Sequence, residues 1–133
     1  MLMKPVLQLA DVKKVAAACE AEAMANSWNV VISICDDGGN LLWLQRLDGT
    51  APISAEIAPA KERTAALGRR ESKIYEDMIN NGRFSFLRAP LDGMLEGGVP
   101  IIVDGHVVGA VGVSGVKSAE DAQIAKAGIA ALG

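Results

Sequence analysis

Leu9, Val12, Ala16, Cys19 and Ala23 recur at intervals of three and four residues, which predicts an amphipathic helix over Leu9 to Ala25, ended by Asn26-Ser27. Val30 to Cys35 is a β-branched run, and Asp36-Asp37-Gly38-Gly39-Asn40 is dense turn chemistry. Leu41 to Leu47 then returns as a second strand, giving an N-terminal hairpin broken off by Asp48-Gly49-Thr50-Ala51-Pro52. Ser54 has the chemistry to cap a second helix, whose turns are marked by Ile57, Ala58, Lys61, Thr64, Ala65 and Gly68. Pro59 lies too deep for a first-turn proline, so the spacing predicts a later start or a kink there. A more polar helix is expected from Glu71 to Asn80, stopped by Asn81-Gly82. Arg83 to Glu96 holds Phe84, Phe86, Leu87, Leu91, Met94 and Leu95 without a clean period, and leaves room for a short strand. Ser118 is expected to cap a last helix with Ala122, Ile124, Ala125, Gly128 and Ile129 on its apolar side.

Between Gly97 and Gly115 the chain reads GGVPIIVDGHVVGAVGVSG, and Asp104-Gly105 is a strong signal for a two-residue hairpin turn. Alternation on the returning strand sends Val107, Gly109, Val111 and Val113 one way, and Val108, Ala110, Gly112 and Ser114 the other. Glycine weakens a strand, so its repetition points to the close approach of a ligand or of another backbone. Both explanations stand at this point: a pocket floor, or a smooth face for a helix. The element order predicts an α/β (α+β) layered domain whose sheet is built from two antiparallel hairpins, because parallel strands cannot be joined by two residues.

Composition narrows the function classes. A chain of 133 residues suits one domain over 1–133. Half of its residues are hydrophobic but few are aromatic, which predicts an Ala/Val/Leu/Ile core with surplus apolar surface for a homo-oligomer. Net charge is -3 with no basic run, so a nucleic-acid partner has no electrostatic footprint. No stretch approaches a membrane span, and the first residues lack the pattern of a signal peptide, so a cytoplasmic location is expected. Cys19 and Cys35 sit in apolar patterns and read as buried free thiols. No spacing of Cys, His and carboxylates reads as a metal site.

Several segments in order, VVISICDDGG at Val30–Gly39, QRLDGT at Gln45–Thr50, Ser54–Thr64 with Lys61, GGVP at Gly97–Pro100 and VGAVGVSG at Val108–Gly115, with Glu120-Asp121 and Ala127-Gly128, carry a resemblance. Together they resemble the GlcG/HbpS-type family, also called the haem-degrading or PduO C-terminal-like domain. The resemblance implies a profilin-like fold with a five-stranded antiparallel sheet flanked by helices, and homo-oligomers. It also implies haem or corrinoid-type ligands, so haem is the cofactor expected from it. Some haem-holding relatives use a histidine on the first helix as axial ligand; this first helix has none. The sole histidine, His106, follows the Asp104-Gly105 turn; such a tip reads as an exposed turn residue, with haem ligation by His106 the lesser alternative.

Among candidate binding residues, Arg46 has the planar donors to fork onto a carboxylate, or it pairs with Asp48 or Glu56 to brace its loop. Lys61 shares a helix face with Ile57 and Ala65 while Arg63 turns away. Lys61 therefore anchors an anionic ligand, acts as a general base, or covers the core with its stem. Gly97 and Gly98 permit close backbone approach, and Gly112 and Ser114 complete a pocket wall opposite the second helix. Ser114 lacks a nucleophile elbow and a nearby base, which argues against a hydrolase triad. Glu120 and Asp121 complement the last helix's dipole, and Glu120 is a candidate partner for Lys61. Three readings remain open: a binder of haem, a related tetrapyrrole or an anionic catabolic metabolite; an enzyme hydrolysing or isomerising an unsaturated carboxylic acid, with Lys61 as its catalytic candidate; or an accessory structural oligomer.

Overall fold

The computed structural model describes residues 1–133. Helix α1 spans Leu9–Ala25, as the periodicity predicts, and Val12, Val15, Ala16, Cys19 and Ala23 are its buried side. Strands β1 (Val31–Asp36) and β2 (Leu41–Arg46) follow as the N-terminal hairpin. Helices α2 (Ser54–Gly68) and α3 (Ser72–Asn80) come next, then β3 (Gly98–Val103), β4 (His106–Ser114) and α4 (Ser118–Ala130). The turn between β3 and β4 places both Asp104 and Gly105 at positive φ, 51° and 77°, the geometry that a two-residue hairpin demands.

All three strand pairings are antiparallel, in the order β2-β1-β4-β3. The sheet thus has four strands where five were expected. The segment that left room for another forms a short 3-10 turn at Phe84–Arg88 instead. Phe86 stacks on Tyr75 of α3 with ring centroids 5.2 Å apart, which ties this segment to a helix rather than to a strand edge.

One sheet face carries the main core. Ile32 and Ile34 of β1, Val99 and Ile101 of β3 and Val111 and Val113 of β4 pack under α1 and α4. Val108 joins them because the β3–β4 register slips between Ile101 and Ile102, so simple alternation fails toward the turn and Val107 lies outside this core. Helices α1 and α4 approach so closely that a Cβ built on Gly128 would lie 2.1 Å from Cys19 Sγ. The opposite face is covered by α2, where Cys35, Ala65, Ala66 and Ala110 cluster. Small residues in both layers let helix backbone sit directly on sheet.

Two helix starts differ from expectation. Ile53, not Ser54, is the N-cap of α2, and Ser54 instead accepts a hydrogen bond from the Ser114 hydroxyl at 3.3 Å. Lys117 caps α4, with its N–H donating to the Glu120 carboxylate at 3.2 Å. Pro59 lies inside α2, which begins at Ser54 despite it.

Candidate functional site

Ser33, Gly112 and Gly98 stand side by side across β1, β4 and β3, and Val31 lies between Arg46 and Ser114 in the neighbouring row. The sequence-derived candidates are therefore drawn together on the α2 face. The space between them is filled by α2. A Cβ on Gly112 would lie 2.1 Å from the Ala58 carbonyl oxygen, and one on Gly98 would lie 2.2 Å from that of Lys61. These glycines admit a helix backbone, not a guest. None of the four surface cavities is lined by Arg46, Lys61, Gly97, Gly98, Gly112 or Ser114.

Lys61 points inward, as its helix face predicts, and is 3% exposed. Its Nζ donates to the Val113 carbonyl at 3.0 Å and to Asp121 Oδ2 at 3.1 Å. Asp121, rather than Glu120, is thus the partner, and its other oxygen accepts the Val116 N–H at 3.2 Å. Burial pushes the Asp121 carboxyl up to about 6, against the pull of the Lys61 ammonium. An amine so enclosed holds α2 to the end of β4 and the start of α4. Arg46 is exposed and braces its loop by donating from Nε to the Thr50 carbonyl at 3.2 Å, in place of an Asp48 or Glu56 pair. Thr50 in turn donates to the carbonyls of Leu47 and Val30.

One buried group carried no sequence signal. Glu62 is 1% exposed, its Oε2 has no hydrogen-bond partner, and Ser33 Oγ beneath α2 has none either. Burial raises the Glu62 carboxyl to about 8, against the opposing pull of the Ser33 hydroxyl. The folded state therefore favours the protonated acid. Its contribution is full below the unfolded value near 4.5 and is lost as pH rises through 8. Glu62→Gln should flatten that loss, gaining on the order of a few kcal/mol over the parent at pH 9 and much less at pH 5. Urea melts at both pH values check this; equal shifts at the two would remove the assignment.

The sulfurs and the imidazole differ in availability. Cys19 and Cys35 are free and buried, as expected, and burial pushes the Cys19 thiol up to about 12 and that of Cys35 higher still. Neither is poised to be a thiolate ligand. His106 is only half-buried and opens onto a groove of about 460 Å³, the largest in the chain. It is therefore not simply an exposed turn residue. Arg69 and Lys4 border the same groove, and the Lys4 ammonium pairs with the Asp37 carboxylate. This donor set, one imidazole beside two cations and apolar walls, fits an iron porphyrin with carboxylate arms. Helix α1 holds no histidine.

A family model described as haem degrading protein HbpS-like matches residues 7–130. The chain belongs to the HbpS-like family. It is 54% identical to the protein GlcG of Escherichia coli K12 over 114 residues, covering 86% of this chain and 85% of GlcG. Its structure is similar to that of a Streptomyces reticuli HbpS double mutant, with TM-score 0.88, 28% identity, and coverage of 100% of this chain and 91% of the other. It is also similar to a structure described as a PduOC–haem complex, with TM-score 0.85, 27% identity, and coverage of 96% and 95%. The family resemblance read from the sequence is thereby established, together with a mixed α+β fold whose antiparallel sheet is flanked by helices. No helix of this HbpS-like chain is long and apolar enough to cross a membrane.

Proposed function

We propose that this chain binds haem or a closely related tetrapyrrole. The observation that carries the reading is its likeness, over 96% of its length, to a domain whose structure is described as a haem complex. The local chemistry agrees: a half-buried imidazole and two cations share one groove, whereas the α2–sheet contact is closed. A bound porphyrin therefore lies at the surface of the chain, where its apolar faces need cover. A second copy of the chain can supply that cover. Leu41, Leu42 and Leu44 on the outer strand β2 and Phe84 and Leu87 beyond α3 stay exposed, and such surplus apolar surface supports a homo-oligomer.

When bound, haem supplies an iron open to axial ligation and a chromophore. The chain's residues bind and orient it and set how far water reaches it. Titration with ferric haem should shift the Soret band with a Kd of about 1 µM or tighter. Sedimentation velocity followed at that wavelength reads the mass of the haem-carrying species, which should exceed one chain. A spectrum identical to free haem at every ratio refutes the binding; haem sedimenting with single chains refutes the assembly.

A further inference from the structure

The groove at the tip of the β3–β4 hairpin has no counterpart among the residues first expected to bind. Its volume, about 460 Å³, lies within the range of small-molecule sites. Leu2, Ile102 and Val107 give it apolar walls, and Leu2 and Ile102 are more than half exposed with nothing packed over them. Gly105 adds no side chain, and a Cβ placed there would meet nothing within 4 Å, so the groove stays open at the turn.

Charge is unbalanced along its rim. Lys4 pairs with the Asp37 carboxylate, while Arg69 donates from Nη1 to the Asp37 carbonyl and, at 3.0 Å, to that of Ala66. Two cations thus converge on one acid, and neither Arg69 bond goes to a carboxylate. The imidazole of His106, the chain's only histidine, takes part in none of its four ion pairs. An imidazole able to ligate iron, apolar walls and an arginine whose charge meets no carboxylate share one groove, which suits a guest that is flat, apolar across its plane, anionic at its edge and metal-bearing.

We propose that this groove is the porphyrin site, with His106 as the axial ligand and with Arg69 and Lys4 receiving the carboxylates. The assignment rests on the tetrapyrrole reading above and adds where the ligand sits. It also predicts a competitor: Asp37 holds Lys4 that an incoming carboxylate needs.

The test titrates the full chain and its variants with ferric haem and with iron-free protoporphyrin. His106→Ala should weaken haem binding by about tenfold or more and return the Soret band toward its free position. The same variant should bind iron-free protoporphyrin as the parent does, because only the metal bond is lost. Asp37→Asn should tighten both ligands several-fold. His106→Gln, which keeps size and polarity on the hairpin, should repeat the His106→Ala result. Unaltered haem affinity and spectrum in both His106 variants overturn the site while leaving tetrapyrrole binding intact. A parent chain that binds no haem overturns both.

Discussion

Lys61→Ala should lower the unfolding free energy by roughly 3–5 kcal/mol, the cost of leaving a buried charge without its partner. The ammonium and the Asp121 carboxylate are both nearly inaccessible, 4% and 3% by side chain, so water cannot replace the lost bond. The alanine strands Asp121 beside the Val113 carbonyl, which loses its 3.0 Å donor as well. Lys61→Met keeps the aliphatic stem. Combined with Asp121→Asn it should recover most of the loss, since two neutral groups avoid the desolvation that either charge suffers alone. Urea denaturation of the two single variants and the pair measures the coupling; additive losses would show that the ion pair contributes nothing of its own. The same alanine should leave haem affinity nearly unchanged once the folded fraction is accounted for, because Lys61 faces no cavity.

Gly112→Ala should cost roughly 3 kcal/mol or more, the upper end for an overpacked core. Its added methyl would collide with the Ala58 carbonyl oxygen at 2.1 Å and with the Glu62 nitrogen at 2.7 Å, both of them helix backbone. No rotamer relieves a backbone clash, so α2 must lift, and Lys61 and Glu62 move with it. A melting temperature within a degree or two of the parent's would mean that α2 rides on the sheet with slack that the structure does not contain. The effect separates this glycine from Gly105, where alanine meets open space and suffers only from its φ of 77°.

Much of this architecture was legible beforehand. The apolar spacing from Leu9 to Ala23, the Asp104-Gly105 turn and the inward face of α2 are local signals. Each obeys a rule that tertiary contacts do not disturb. What local rules missed depends on pairs far apart in the chain. Asp121 sits in a first helical turn where its charge already had a reason, so nothing in its neighbourhood pointed 60 residues back to Lys61. The bare strand face was visible, but whether a ligand or a helix occupied it turned on a distance. The helix occupies it. Glu62 escaped notice because an acid next to an inward-facing lysine is expected to face water, and a tightly seated helix turns a wider arc inward than one apolar stripe. His106 read as a turn residue since the cations beside it come from the N-terminal segment and from the left-handed end of α2.

The two thiols fall on opposite sides of the sheet, Cys19 between α1 and α4 and Cys35 beneath α2, 3.7 Å from the Glu62 carbonyl. Each layer of the domain therefore carries its own built-in tag. An alkylating reagent can reach one sulfur only when the α1–α4 pair opens, and the other only when α2 does. The order in which the two adducts accumulate would reveal which side of the molecule breathes first, with no label added by design.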